Sequence, residues 1–121
     1  MQAIVIDDSR AMRMILSGIL RELGFDVREA ADGREGLERV RQGELPRLAL
    51  VDWNMPEMNG LEFLRAVRAD PALAGVRVVM VSTETEMAQV SRALDEGADE
   101  YVMKPFSRDV LAEKLRLIGL V

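Results

Sequence analysis

The sequence contains no cysteine and no histidine, the side chains that supply thiolate and imidazole ligands to metals. Without cysteine the chain forms no disulfide bond, and the composition fits a reducing compartment. Long apolar runs are also missing, since none approaches the roughly 20 residues that a membrane span needs. The opening segment "MQAIVIDD" has neither the basic start nor the length of a signal peptide. We therefore expect a cytoplasmic protein that makes no use of a membrane.

Basic side chains are fewer than acidic ones. The 121 residues carry 21 acidic and 16 basic side chains, which gives a formal net charge of -5. An acidic chain lacks the electrostatic footprint of a protein that binds the phosphate backbone, so nucleic acid is not an expected partner. With 49% hydrophobic residues, the length predicts one domain over residues 1–121 that buries about two-thirds of its unfolded surface.

Short β-type segments alternate with helical ones along the chain. Strands are predicted at residues 2–6, 25–30, 47–51, 76–81 and 100–103. Helices are predicted at 12–23, 33–43 and 61–70. A fourth helix is predicted to follow a capping box at Thr83–Glu86, and a fifth to begin at about Ser107. Three strands are near-continuous apolar runs, as in strands covered on both faces. The pattern predicts an α/β fold, a doubly wound parallel sheet with helices on both sides.

Helical periodicity also predicts which side chains of these helices face the sheet. In the first helix one stripe contains Met12, Ile15, Leu16, Ile19, Leu20 and Leu23. In the second helix Leu37 and Val40 are predicted to face inward, and in the fourth helix Met87, Val90 and Leu94 share one face. Buried stripes of this kind hold the helices against the sheet.

Polar side chains follow the strands at the points where they end. These residues are Asp7, Asp8, Asp52, Ser82, Thr83 and Lys104. Because parallel strands with right-handed crossovers all point the same way, the residues after them gather at one edge of the sheet. The predicted cluster contains three carboxylates, a hydroxyl pair and one ammonium group. Asp7 and Asp8 have a simpler alternative reading, in which they only cap the first helix.

Three clustered carboxylates need a counter-charge, because two unit charges about 4 Å apart repel by about 1 to 4 kcal/mol. Oxygen ligands without His or Cys favour Mg²⁺, with Mn²⁺ as an alternative hard ion. Asp52 then has the position of a nucleophile that forms an aspartyl phosphate. Lys104 and Ser82 are placed to hold the transferred group, since phosphoryl transfer depends mostly on positioning and charge neutralisation.

Four segments in order, "IVIDDSRAMR", "LVDWNMPEMNGLEFL", "VMVSTETE" and "GADEYVMKPF", span almost the whole chain. In these segments the chain resembles the receiver domain of bacterial two-component response regulators. Among receiver domains it resembles the single-domain chemotaxis (CheY-like) type. The resemblance implies a flavodoxin-like (βα)5 fold with strand order 2-1-3-4-5. It also implies a cis peptide bond between Lys104 and Pro105.

The resemblance further implies a role for each site residue. Asp52 is the implied phosphoacceptor and Lys104 the invariant lysine, while Asp7, Asp8, Asp52 and the backbone carbonyl of Asn54 are the implied Mg²⁺ ligands. Ser82 and Tyr101 stand at the hydroxyl and aromatic switch positions. Asn54 and Glu84 are expected to influence the rate of hydrolysis.

The implied phosphodonor is a histidine kinase, and the implied output is a protein target of unknown identity. That target binds the face formed by the fourth helix, fifth strand and fifth helix, and we expect the protein itself to be a monomer. Enteric chemotaxis regulators carry basic residues near the start of the fourth helix, where this chain has Glu84, Glu86 and Met87. The usual docking to a flagellar switch protein is therefore not predicted.

Two other functions use similar residues. A phosphohydrolase of the haloacid-dehalogenase kind also has a nucleophilic Asp and Mg²⁺, but it wants a carboxylate two residues later, where this chain has Asn54. A pseudo-receiver adaptor would act by protein contact without phosphorylation, which the intact acidic set and Lys104 disfavour. The leading prediction is a signalling switch that catalyses only its own phosphorylation and dephosphorylation, and not an enzyme acting on other substrates.

Overall fold

The structure is a computed structural model that describes residues 1–83 and 87–121. The strands are β1 (Gln2–Ile6), β2 (Asp26–Ala30), β3 (Leu48–Asp52), β4 (Arg77–Ser82) and β5 (Glu100–Met103). The α-helices are α1 (Arg10–Glu22), α2 (Gly33–Val40), α3 (Gly60–Ala69), α4 (Met87–Asp95) and α5 (Arg108–Leu117). A short 3₁₀ helix, Pro71–Leu73, follows α3.

The five strands form one sheet in the order β2-β1-β3-β4-β5, and every neighbouring pair is parallel. This order confirms the predicted doubly wound fold. It brings β1 and β3 side by side in the middle of the sheet, with Ile6 paired to Val51 near their carboxyl ends. The order reverses at this point, because β2 lies on one side of β1 while β3, β4 and β5 follow on the other. Ligands of open α/β sheets bind at such a reversal.

Alternation along the central strands divides the core into two layers. Ile4 and Val51 face the layer that contains side chains of α2, α3 and α4. Val5 and Leu50 face the opposite layer, which contains side chains of α1 and α5. Because all these strand residues are fully buried, the central strands need apolar side chains on both faces, which explains their continuous apolar runs.

Several element boundaries differ by a few residues from those predicted. β3 and β4 each begin and end one residue later, so that Asp52 and Ser82 are the last residues of their strands and do not follow them. α2 ends at Val40, three residues before the predicted end, although Leu37 and Val40 pack inward as predicted. The predicted capping box at Thr83–Glu86 falls largely outside the described residues, as does Glu84.

Two predicted core residues are wrong. Ile15 of α1 is 54% exposed and Leu94 of α4 is 44% exposed. In α1 Leu16 and Leu20, one turn apart, are fully buried, while Ile15 lies about 100° around the helix from Leu16. The other members of the stripe, Met12, Ile19 and Leu23, are partly buried against the same core layer. A helix lying on a flat sheet buries a narrower stripe than periodicity alone suggests, so the flanking apolar residue stays in solvent.

The structure at the start of α1 bears on the alternative that Asp7 and Asp8 only cap this helix. Ser9 is the N-cap of this helix, and its hydroxyl accepts a hydrogen bond from the Met12 N–H at 3.2 Å. Asp7 and Asp8 lie before the cap, so capping alone does not account for them. No helix within residues 1–83 or 87–121 is long and apolar enough to cross a membrane.

Candidate functional site

Asp7, Asp52 and Lys104 converge at the carboxyl edge of the sheet as predicted. The Lys104 Nζ lies 3.1 Å from Asp7 Oδ2 and 3.4 Å from Asp52 Oδ1. The Asp7 side chain is 1% exposed, that of Asp52 11% and that of Lys104 13%. A single ammonium group therefore bridges two nearly buried carboxylates that come from different strands. Lys104 is joined to Pro105 by a cis peptide bond, which confirms the expectation from the family resemblance.

Asp7 is held by hydrogen bonds on every side. Its N–H donates to the Ala30 carbonyl at 3.1 Å, and its Oδ1 accepts from the Ser9 N–H at 2.8 Å. Its own carbonyl accepts from Arg13 Nη1 at 2.6 Å, while Arg13 Nε lies 3.3 Å from Glu29 Oε1. Arg13 thus connects α1 both with the loop after β1 and with β2. The sequence reasoning missed this residue, although an arginine one helical turn after a cap is placed to reach back over the loop.

Asp8 completes a cluster of carboxylates with room for a cation. One oxygen each of Asp7, Asp8 and Asp52 lies within 4.8 Å of the other two, and Asp8 is exposed to solvent. Oxygen ligands of an octahedral Mg²⁺ lie about 2.9 to 4.2 Å apart, which is close to the spacing of these three oxygens. Three carboxylates and one ammonium leave two negative charges in excess. The oxygen-only donors and this charge fit a hard divalent cation.

The environment of Asp52 changes its acidity. Burial and the nearby Asp7 carboxylate raise the pKa of Asp52 from the usual 3.8 to about 6, against the opposing effect of Lys104. At pH 7 the Asp52 side chain is therefore still mostly ionised, but it is a stronger base than an exposed carboxylate. A raised pKa of this kind is typical of carboxylates that react, although buried structural acids share it.

The backbone around Asp52 fixes the direction of its side chain. The Trp53 N–H donates to Asp52 Oδ1 at 3.0 Å, the same oxygen that faces Lys104. Gly60, the first residue of α3, donates its N–H to the Trp53 carbonyl at 2.9 Å. A Cβ on Gly60 would meet the Asp52 carbonyl and would lie 3.1 Å from the Trp53 Cα. Only glycine lets α3 begin this close to the end of β3.

Ser82 and Lys104 are brought together by the pairing of β4 and β5. The Ser82 side chain is 1% exposed, and its carbonyl accepts a hydrogen bond from the Lys104 N–H at 2.8 Å. Across the sheet Asp52 pairs with Val81, so Ser82 lies one residue beyond Asp52 on the adjacent strand. Thr83 is exposed just after the strand. Of the predicted hydroxyl pair, Ser82 is thus the one buried beside the cluster.

The two aromatic residues near this edge are in contact. Tyr101 on β5 is 5% exposed and Trp53 is 8% exposed, and their ring centroids lie 6.5 Å apart. Both belong to the core layer beneath α3 and α4. Asn54, two residues after Asp52, is exposed in the loop. The structure therefore brings Asp7, Asp8, Asp52 and Lys104 together in one cluster. Ser82 ends the adjacent strand, Tyr101 contacts Trp53, Asn54 lies two residues after Asp52, and Glu84 lies outside the described residues.

The family model described as "Response regulator receiver domain" matches residues 3–116 of the chain. The match covers all five strands but for Gln2, and all the acidic and basic residues of the cluster. The chain therefore belongs to the response regulator receiver domain family.

The similar proteins place it beside the chemotaxis members of that family. The chain is 41% identical to the chemotaxis protein CheY1 of Helicobacter pylori (strain J99) over 98% of this chain and 96% of the relative. It is 42% identical to the chemotaxis protein CheY of Pseudomonas aeruginosa over 98% of this chain and 95% of that relative. The solved structure of Vibrio cholerae chemotaxis protein CheY4 superposes with a TM-score of 0.88 at 32% identity, covering 97% of both chains. The leading sequence prediction, a CheY-type receiver domain, is confirmed.

Proposed function

We propose that residues 1–121 act as one receiver-domain switch in which Asp52 accepts a phosphoryl group from a histidine kinase. The observation that carries this proposal is the position of Lys104, whose ammonium lies against both Asp7 and Asp52 at the carboxyl edge of the sheet. Two carboxylates, with a third at the rim, form a site for a cation and an anion together.

In the proposed transfer, an Asp52 carboxylate oxygen attacks the phosphorus of a phosphohistidine. A P–O bond forms and the P–N bond breaks, with its electron pair going to the imidazole nitrogen of the kinase. Both hydrogen bonds that described residues give to Asp52 reach Oδ1, which leaves Oδ2 as the attacking atom. The Lys104 ammonium and the Ser82 hydroxyl are placed to hold the transferred oxygens.

The reset is a hydrolysis on the same residue. Water attacks the phosphorus, the P–O bond to Asp52 breaks, and the products are the Asp52 carboxylate and inorganic phosphate. No other group of the protein is consumed. Asn54 and Glu84, which flank the phosphoryl position in the family, are proposed to influence this rate.

Asp7, Asp8, Asp52 and the backbone carbonyl of Asn54 are the proposed ligands of Mg²⁺, with Mn²⁺ as a substitute. When bound, the cation neutralises charge that spreads over the phosphoryl oxygens in the transition state. Asp7 already accepts hydrogen bonds on both carboxylate oxygens, one from Ser9 and one from Lys104. Asp8 is exposed, so we propose that Asp8 and Asp52 bind the cation directly and that Asp7 acts through water.

The proposed output surface is the face of α4, β5 and α5. In the described part of these elements four large apolar side chains are exposed, Leu94 by 44%, Met103 by 39%, Val110 by 46% and Leu117 by 67%. Ser82 and Tyr101 connect the phosphoryl position to β5, so a movement of either changes this face. The proposed target is a protein that covers these apolar side chains, and the receiver itself is proposed to be a monomer.

Two substrates distinguish this switch from the other candidate functions. With Mg²⁺, acetyl phosphate is expected to phosphorylate the protein, while p-nitrophenyl phosphate is not hydrolysed in repeated turnovers. Sustained hydrolysis of the ester would instead indicate a phosphohydrolase. Failure to react with acetyl phosphate would indicate an adaptor that is never phosphorylated.

A further inference from the structure

A second charged site lies at the opposite edge of the sheet, where β3 and β4 begin. It is an open pocket of about 600 Å³ whose charged lining residues are Arg47, Arg68, Arg77 and Asp99. Pockets that bind small ligands have volumes of about 300 to 1,000 Å³. The pocket is separated from Asp52 by the length of the strands, so its occupation does not interfere with the phosphoacceptor site.

The charge of this pocket is opposite to that of the protein. Three guanidinium groups face one carboxylate, in a chain whose net charge is -5. Glycines 75 and 97 contribute to the remaining wall, so no bulky side chain fills the space at those positions. A local excess of two positive charges in an open pocket attracts an anion.

Two of the four charged residues hold the wall of the pocket together. Arg68 donates to Asp99 Oδ2, to the Gly97 carbonyl and to the Val76 carbonyl, each at 2.8 Å. Asp99 Oδ2 also accepts from the Val78 N–H at 2.8 Å. All of these contacts are internal, so Arg68 and Asp99 connect α3 to β4 and β5. They are the rigid frame of the site.

The other two arginines have donors to spare. Arg77 makes one long ion pair, with Nη1 3.5 Å from Asp99 Oδ1, and its side chain is 48% exposed. Arg47 is exposed and makes no ion pair with any carboxylate in residues 1–83 or 87–121. The Arg77 N–H donates to the Arg47 carbonyl at 3.0 Å, so the two backbones are joined where β3 and β4 begin, and both residues line the pocket.

We propose that Arg47 and Arg77 bind the diphosphate group of a small polyanion in this pocket. A guanidinium group presents a planar fork of donors that matches two oxygens of a phosphoryl group. Because both arginines line one pocket, two linked phosphoryl groups can engage both guanidinium groups, whereas a single phosphoryl group engages one.

The test is a titration with sodium pyrophosphate, followed by the backbone amide signals of the ¹⁵N-labelled full chain. EDTA and low salt keep divalent cations away from Asp52 and limit screening. Saturable shifts are expected for Arg47, Gly75, Arg77 and Gly97. A parallel titration with a nucleoside diphosphate shows whether the anion is preferred free or attached to a nucleoside.

Two matched variants separate specific binding from general attraction. A side chain at Gly75 meets nothing within 4 Å, so Gly75→Asp adds a carboxylate at the pocket and leaves the Arg68–Asp99 frame intact. Gly18→Asp makes the same charge change on exposed α1, where a side chain also has open space. Gly75→Asp is expected to weaken binding about tenfold, and Gly18→Asp by less than about twofold.

Three results would overturn the proposal. One is the absence of saturable shifts at Arg47 and Arg77. Another is a set of shifts confined to the amides around Asp52 and Lys104. The third is an equal loss of affinity in Gly75→Asp and Gly18→Asp, which would mean that only the net charge matters.

Discussion

The rings of Trp53 and Tyr101 lie against each other, with centroids 6.5 Å apart and planes inclined by 53°. The same Trp53 donates its backbone N–H to Asp52 Oδ1 at 3.0 Å. One residue therefore touches both the proposed phosphoacceptor and the aromatic side chain of β5. Because Trp53 is the only tryptophan, its fluorescence reports on this junction without labelling.

Trp53 emission is expected to change on titration with Mg²⁺, because a cation between Asp8 and Asp52 alters the field at the adjacent indole. Asp8→Asn removes one ligand charge and should raise the midpoint about tenfold. Asp109→Asn, at a side chain that is 95% exposed on α5, provides the matched control and should leave the midpoint unchanged. An emission that does not respond to Mg²⁺ would count against a metal site at this edge.

Asp52→Asn is expected to stabilise the metal-free protein at neutral pH. The pKa of Asp52 is about 6 in the folded state, against 3.8 as the usual value, so the folded protein binds this proton more tightly. The contribution of Asp52 to the stability of the wild type is therefore fully present below pH 3.8 and is lost as pH rises through 6. The shift corresponds to at most about 3 kcal/mol, and asparagine, which is neutral, avoids the loss.

Urea unfolding in EDTA measures this difference directly. The free energy of unfolding of Asp52→Asn should exceed that of the wild type at pH 7.5, and the two should approach each other at pH 4. Saturating Mg²⁺ should reduce the difference at pH 7.5, because it binds the folded wild type. A variant that is less stable than the wild type at both pH values would contradict the raised pKa of Asp52 in the folded protein.

Lys104→Met is expected to destabilise the metal-free protein, because it leaves Asp7 and Asp52 without their shared cation. Removal of one partner of a buried ion pair costs about 3 kcal/mol. Lys114→Met is the matched control, since Lys114 is the other lysine and its ion pair with Glu100 is about one-third exposed on the lysine side. That variant should change the free energy of unfolding by less than about 1 kcal/mol.

Mg²⁺ offers a second readout for Lys104→Met. The cation should restore more stability to this variant than to the wild type, because the uncompensated carboxylates bind it more tightly. Equal stabilisation of the two proteins by Mg²⁺ would show that Lys104 and the cation do not share these carboxylates.

Gly60→Ala is expected to lower the free energy of unfolding by about 1 to 3 kcal/mol, as overpacking does in a close contact. Its Cβ would lie 2.6 Å from the Met80 Cε and 3.1 Å from the Trp53 Cα. Gly18→Ala, in the middle of α1 with open space around it, should instead stabilise by about 1 kcal/mol. Thermal unfolding of both variants beside the wild type tests this pair. A neutral Gly60→Ala would mean that α3 begins farther from β3 than the structure shows.

Much of the geometry of the proposed phosphoacceptor site followed from the sequence, because the topology of the sheet creates it and detailed packing does not. Once β1, β3, β4 and β5 are parallel, their carboxyl ends must meet, and Asp7, Asp52 and Lys104 stand at those ends. The strand order itself came from the family resemblance, since alternation of strands and helices is compatible with several orders. The same reasoning applied to the amino ends of β3 and β4 finds Arg47 and Arg77 at the opposite edge.

Other features depend on side-chain directions that a one-dimensional pattern does not contain. Periodicity placed Ile15 and Leu94 in the core, but how far a helix tilts over the sheet decides which flanking residue is covered. The contact between Trp53 and Tyr101 joins residues 48 positions apart through the core beneath α3. Arg13 reaches a backbone carbonyl, and such hydrogen bonds leave no pattern in the sequence.

The most direct test of the account is the intact mass of the protein after reaction with acetyl phosphate and Mg²⁺. The wild type should gain one phosphoryl group, Asp52→Asn should gain none, and EDTA should prevent the addition. Asp26→Asn, at an exposed carboxylate at the start of β2, should react like the wild type. Addition of the group to Asp52→Asn, or an unchanged mass in the wild type, would contradict the assignment of Asp52 as the phosphoacceptor.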